Sequence, residues 1–197
     1  DHSPDGTADA VRALQPRHPG LSLLLRDGPR GRGHAGREGF LECLRRGADR
    51  AVEMDADLSH DPRHVPALLA ALERCDLAIG SRRVPGGRDE RPWPRLALTR
   101  MANTWAALVM GVGVHDMNSG FRAFNRRALE AVQPETLRSA GPSIVHESLC
   151  RVLRAGLCVE EVPIVFVDRR KGQTKLDLWK LIKGFAWIVR LRFEPPR

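Results

Sequence analysis

Two aspartates one residue apart, Asp55 and Asp57 in "AVEMDADLSHDP", follow an apolar-leaning run of strand length. Side chains at i and i+2 of an extended segment point the same way. Both carboxylates can therefore reach one hard cation, magnesium or manganese, which takes carboxylate oxygens and leaves positions open for phosphate oxygens. Two unpaired carboxylates this close repel, and a metal removes that cost. The plainer reading is that Asp57 or Asp61 caps the helix that follows; the motif alone leaves both open. Glu53 lies on the same face, an unexplained acid in a strand that should be buried.

Other residue types add to this picture unequally. His60 and His64 are spaced to share one helical turn and ligate a transition metal, but without a zinc-protease pattern around them the expectation is two exposed histidines at a helix start. Ser81, Arg82 and Arg83 directly follow the apolar stretch "DLAIG", and Arg95 and Thr99 lie one helical turn apart, on one face. Guanidinium forks match phosphate oxygens. Arg82 is singled out by its place at a strand end, whereas Arg83, Arg88 and Arg91 read as solvated loop arginines. Near the end, "VDRRKGQTKL" sets Arg169 and Lys175 around a glycine-containing loop suited to folding over a diphosphate.

The elements that must carry these residues alternate. Helices are expected at 8–14 (capped by Thr7), 33–47, 64–73, 95–110, 126–132, 144–155 and from about 176. Strands are expected at 21–25 ("LSLLL"), 51–55, 76–80, 120–124 and in "CVEEVPIVFVD". Such alternation implies a largely parallel, helix-covered sheet, an α/β fold whose ligands gather at the carboxyl ends of the strands. Asp55, Asp57 and the arginine loop sit at such ends. The turn-like opening "DHSPDGT" should follow a strand lying before Asp1, so the first strand of the sheet is expected to be missing.

Composition narrows the partners. The 197 residues suit one domain, with a net charge of +8 and a basic balance that attracts anions: phosphorylated small molecules, nucleic acid or an anionic membrane face. Aromatics make up 5% of the chain and no nucleic-acid recognition motif is present, which sets nucleic acid aside. The four cysteines lack metal-ligand spacing and read as free thiols of a reducing compartment. No secretory leader pattern is visible, and "WAALVMGVGV" is about half the length of a spanning helix. The last helix, "LDLWKLIKGFAWIVRLRF", mixes tryptophan, leucine and basic residues. It suits either a membrane interface or packing on the sheet.

In order, "DHSPDGT", "RGRGHAGREGF", "MDADLSHDP", "LAIGSRRVPGG", "NSGFRAFNRRALEAV", "EVPIVFVDR" and "GQTKL" resemble the dolichol-phosphate (polyprenyl-phosphate) mannosyltransferases, inverting glycosyltransferases of the GT-A (Rossmann-like) fold. The resemblance runs from residue 1 to about 184. It implies a glycosyltransferase domain over 1–175 and an amphipathic, membrane-interface element over 176–197. It also implies transfer of mannose from GDP-mannose to a polyprenyl (dolichyl) phosphate at the cytoplasmic membrane face, with Mg2+ or Mn2+. Carried over by position, Asp55, Asp57 and Ser59 would hold the metal. Arg82, Arg95 and Thr99 would hold the acceptor phosphate, with Asp57, Arg82 and Arg95 central to catalysis. Asp1, Asp55, Glu147, Arg169 and Lys175 would contact the nucleotide sugar. Pro142 and His146 in "GPSIVHE" depart from the family pattern, which bears on Glu147. Lipid contact would rest on the last helix, on the membrane surface or on an anchoring partner. The nearest alternatives are a related enzyme moving glucose or another sugar to the same kind of lipid, and an inactive fragment of such an enzyme.

Overall fold

Alternation of side chains along the strands decides how the layers stack. The computed structural model describes residues 5–167 and 178–193. Its strands are β1 (Arg50–Glu53), β2 (Leu77–Ser81), β3 (Arg88–Asp89), β4 (Arg122–Asn125), β5 (Val159–Pro163) and β6 (Val165–Phe166). Four of them form a mixed sheet in the order β1-β4-β2-β5, and β3 pairs with β6 in a separate parallel ribbon. In the main sheet β4 runs against both its neighbours while β2 and β5 are parallel, so three of the four strands share one direction.

Successive residues of a strand face opposite sides. Leu77, Ile79 and Phe124 join one core cluster; Ala78 and Ala123 join the other. The larger cluster lies under α2 (Arg32–Arg45), α4 (Trp93–Met110), α5 (Arg126–Val132), α6 (Ile144–Arg154) and α7 (Leu178–Phe193). The smaller is closed by α3 (Val65–Ala71), whose Leu68 is fully buried. Cutting Leu77 or Leu68 to alanine would cost about 2–5 kcal/mol, as is usual for a buried leucine. The short α1 (Thr7–Leu14) buries none of its residues.

Local signals set several boundaries. The Asn125 side chain accepts from Ala128 N at 2.9 Å and starts α5, while α4 stops at Gly111, whose φ of 66° suits a helix C-cap. α1 departs from expectation. Thr7 is its first residue, and Asp5 Oδ1 takes both the Thr7 amide and hydroxyl. "LSLLL" forms no strand: none of the ladders includes it, and Leu24 and Leu25 are exposed. A strand needs a neighbour for its backbone groups, and no described segment supplies one. The last helix packs inward: Ile188 and Leu191 are buried in the larger cluster, and Phe185 meets Trp105 of α4 edge-on at 4.6 Å. Among the described residues no helix is long and apolar enough to cross a membrane.

Candidate active site

β1 ends at Glu53, and the chain then makes a loop. The Asp55 amide donates to His60 Nδ1 at 2.9 Å. Asp57 Oδ1 accepts from Ser59 N at 3.1 Å and from its hydroxyl at 2.5 Å, closing an Asx turn around Leu58. Leu58 pays for that turn with φ of 68°, a conformation rare for leucine and typical of functional loops. The helix cap is a different residue: Asp61 Oδ1 accepts from Arg63 N at 2.9 Å. Capping therefore falls to Asp61, and Asp57 belongs to the loop.

The two histidines are not exposed as expected. His60 is buried, stacked on Phe121 at 4.9 Å and edge-on to Phe166 at 5.5 Å. Burial pulls its pKa down, which keeps the imidazole neutral with a lone pair for the Asp55 amide. His64 Nε2 accepts from Val165 N at 3.2 Å. Each spends a ring lone pair on a backbone N–H, so they act as posts for the loop and not as a metal pair.

Glu53 also finds its reason. Arg32, the first residue of α2, reaches Glu53 Oε1 at 3.4 Å and Asp55 Oδ1 at 3.8 Å. Burial raises the Glu53 carboxyl, and the Arg32 and Arg122 charges oppose that rise. Arg32 fits only because its neighbours are small. A Cβ on Gly120 would lie 1.9 Å from Arg32 Nη2, and one on Gly33 would lie 1.8 Å from the Ser139 carbonyl oxygen. Gly33 N in turn donates to Ala140 O at 3.0 Å. The segment it leans on is gripped by Glu147, which is buried, accepts from Arg138 N and Ser139 N, and pairs with Arg151 at 2.8 Å. Glu147 is thus turned inward onto the backbone that seats Arg32.

Beyond β2 lies a cavity of about 670 Å3 lined by Arg82, Arg83, Arg88, Asp89, Glu90, Thr99, Arg100 and Asn103, among others. Four arginines against two acids leave it positive. Arg82 is nearly buried, with 7% of its side chain exposed, and its Nε and Nη2 bind the fully buried Asp116 carboxylate, both at 2.7 Å. The pairing lowers the Asp116 carboxyl against the upward pull of burial. Arg82 Nη1 hydrogen-bonds no described residue, with Asp89 Oδ2 at 4.0 Å. Arg83 and Arg88, read from sequence as solvated loop arginines, line the cavity, and Arg91 lies over the Phe166 ring at 5.1 Å.

Phe166 joins the two halves. Arg82 sits over its face at 5.0 Å, and His60, the support of the Asp55 amide, meets its ring edge-on. The Phe166 ring therefore links Arg82, which lines the cavity, to His60, which supports the carboxylate loop. Arg82 and Thr99 are brought together in the cavity. Arg95 is exposed on α4, outside the cavity lining, and its carbonyl accepts from the Thr99 hydroxyl at 2.8 Å. Asp1, Arg169 and Lys175 lie outside the described residues. Asp55, with 44% of its side chain exposed, and Asp57 two residues on are hard oxygen donors that fit magnesium or manganese. Among the described residues no group of three or more His, Cys, Asp or Glu is placed to hold a metal ion.

Comparison with known proteins decides the class to which this geometry belongs. A family model described as Glycosyl transferase family 2 matches residues 1–133. The chain belongs to glycosyl transferase family 2. This glycosyltransferase is 41% identical to a polyprenol monophosphomannose synthase of Mycolicibacterium smegmatis, over 100% of its own length and 77% of the relative's. It is 38% identical to an undecaprenyl-phosphate mannosyltransferase of Micrococcus luteus (90% and 73%) and 30% identical to a dolichol-phosphate mannosyltransferase of Saccharomyces cerevisiae (90% and 66%). Its α/β, GT-A-like fold is shared with glucosyl-3-phosphoglycerate synthase of Mycobacterium tuberculosis. One crystal structure of that enzyme, holding Mn2+, UDP and glucosyl-3-phosphoglycerate, superposes with a TM-score of 0.64 at 18% identity. The overlap covers 97% of the glycosyltransferase and 64% of that neighbour.

Proposed function

We propose that this glycosyltransferase moves mannose from GDP-mannose to the phosphate of a polyprenol, giving a polyprenyl-phosphate mannose. The observation that carries the reading is a positively lined cavity, holding Arg82 and Thr99, whose Arg82 packs on the same Phe166 ring as His60, the support of the Asp55–Asp57 loop. Two anionic substrates must meet in one site, and each half suits one of them. The mannosyltransferase names of the similar proteins support the sugar and the lipid.

Asp55 and Asp57 would hold Mg2+ or Mn2+, with Ser59 fixing Asp57 through its hydroxyl. When bound, the ion neutralises charge on a departing diphosphate. The chain's own work is mainly positioning. Arg82 presents its remaining N–H groups to the acceptor phosphate, while Arg83, Arg88 and Arg100 draw it in. The second pKa of a phosphate monoester is about 6, so an acceptor oxygen is already anionic near neutral pH and no strong base is needed. That oxygen attacks the anomeric carbon, the bond from sugar to diphosphate breaks, and GDP leaves with the electron pair.

The lipid suggests a seat for the molecule. Trp93, Met101 and Leu108 form an exposed apolar stripe along α4, and Val189 and Phe193 are exposed on α7, with Arg95, Arg100, Arg190 and Arg192 also exposed. Tryptophan, aliphatic and arginine side chains together suit the surface of an anionic bilayer, and we place the enzyme there peripherally, on the cytoplasmic face.

The test supplies the full-length protein with Mn2+, polyprenyl phosphate and labelled GDP-mannose or UDP-glucose, then extracts the lipid. Label should enter the lipid from GDP-mannose. Entry from UDP-glucose alone would replace the donor, and entry from neither would end the reading.

A further inference from the structure

Behind Arg82, and away from any proposed metal ligand, lies a chain of buried polar side chains that phosphate binding alone does not account for. Asp116 Oδ1 accepts from Asn103 Nδ2 at 3.2 Å. Asn103 Oδ1 accepts from Asn118 Nδ2 at 2.6 Å and from the Asn118 amide at 3.0 Å. Asn118 Oδ1 lies 3.0 Å from His146 Nε2 on α6. Asn103, Asp116 and His146 are all buried.

The direction of every bond follows from one end. An ionised carboxylate only accepts, so Asn103 must offer Asp116 its NH2 group and keep its oxygen for Asn118. Asn118 must then offer its own NH2 group to Asn103, which leaves its oxygen facing His146. His146 must donate, with its proton on Nε2. The other ring nitrogen, Nδ1, is buried with no hydrogen-bond partner among the described residues. A second proton there would add a charge beside the buried Arg122, and burial holds the pKa at about 3, so the ring stays neutral. The backbone is fixed at the same place. Glu161 Oε1 accepts from Asp116 N at 2.9 Å, and Asp116 Oδ2 accepts from Arg82 N at 3.1 Å.

Buried polar networks are costly unless every member is satisfied, and an apolar filling would be cheaper. This one ends on the guanidinium that lines the cavity. We propose that His146, acting through Asn118, Asn103 and Asp116, is a positioning residue that fixes the Arg82 guanidinium for the acceptor phosphate. The proposal rests on the reading of Arg82 as the acceptor-phosphate ligand. The imidazole N–H is the last donor of the chain, at the end away from Asp116. Without it the Asn118 carbonyl oxygen loses its partner, the Asn118 side chain that braces Asn103 loosens, and the Asp116 carboxylate holds Arg82 less firmly toward the cavity.

The experiment compares His146→Leu, His146→Gln and Arg82→Ala in the full-length protein, with Michaelis constants for polyprenyl phosphate and for the sugar donor. His146→Leu keeps apolar volume but removes the donor; His146→Gln restores an N–H at similar reach. Losing one hydrogen bond's worth of positioning should raise the acceptor constant about 3- to 10-fold in His146→Leu. The donor constant should stay unchanged, and His146→Gln should recover most of the loss. Nitrogen-15 NMR of the wild-type ring should show a neutral imidazole protonated at Nε2. A ring protonated at Nδ1 overturns the chain, and so does a folded His146→Leu that leaves the acceptor constant alone or raises both constants equally. If Arg82→Ala itself spares the acceptor constant, the reading of Arg82 fails and takes the relay's purpose with it. An Arg82→Ala effect on the acceptor without one in His146→Leu sinks the relay alone.

Discussion

The carboxylate loop and the arginine cavity are linked through Phe166 yet are built on opposite principles. The loop from Asp55 to Ser59 is half open to solvent, carries an Asx turn and a bond to His60, and places Leu58 in a left-handed conformation. The cavity wall is buried and cross-braced, with Arg82, Asp116, Asn103 and Asn118 bonded in series. The difference fits what each would hold on the proposed reading. A metal ion would bring its own charge and ligands and complete a loose pair of carboxylates. A guanidinium that must meet one phosphate at a fixed angle needs its direction set beforehand.

Breaking the braced side should do the most damage. Asp116→Ala takes the close counter-charge from the nearly buried Arg82, and stability in urea should fall by about 3–5 kcal/mol. An unchanged urea midpoint would mean that the wall is not braced through that pair. On the loose side, Asp57→Ala should reduce transfer about 100- to 1,000-fold. Its thermal midpoint should move by only a few degrees, because the residue is exposed; a molecule that unfolds instead would show the loop to be structural. Chelation of divalent ions in the wild type should reproduce the loss of transfer without unfolding.

Acid should separate the two regions further. His146 has a folded pKa of about 3 against an ordinary 6.5, so folding favours the neutral ring. Its contribution is complete above pH 6.5 and is lost as pH falls from there toward 3, at up to about 1.4 kcal/mol per pH unit. Urea midpoints at pH 7 and pH 5 should therefore differ more in the wild type than in His146→Gln. The remaining slope belongs partly to His60, whose pKa burial also depresses. The smallest effect is expected at Leu58: glycine there relieves the strained φ, so stability should change by no more than about 1 kcal/mol. A marked loss on differential scanning would show that the exposed leucine is packed in solution.

Much of the frame was legible in the sequence because it rests on local rules. The helix over 126–132 starts at Asn125, a cap that any reader of the sequence can see, and the strands at 51–55 and 76–80 fall within two residues of β1 and β2. "LSLLL" misled because apolar composition predicts a strand but cannot supply its neighbour. The loop was readable as well, since two aspartates one residue apart are a local pattern. The braces were not. Arg82 meets Asp116 across 34 positions, and Asp55 meets Arg32 across the start of α2. Spacing arguments see only i to i+4, so Arg32, Asn103 and Asp116 looked like ordinary members of a polar background, and His146 stood out only as a departure from the family pattern. His60 looked exposed for the same reason: its cover, Phe121 just before β4 and Phe166 of β6, comes from far along the chain.

The division of labour between the two regions is tested most directly by the paired Michaelis constants of Arg82→Ala, measured for polyprenyl phosphate and for GDP-mannose. The acceptor constant should rise at least about tenfold, as expected when a charge-assisted phosphate contact is lost, while the donor constant stays within about twofold. A rise confined to the donor would contradict the account and move the arginine to the other substrate.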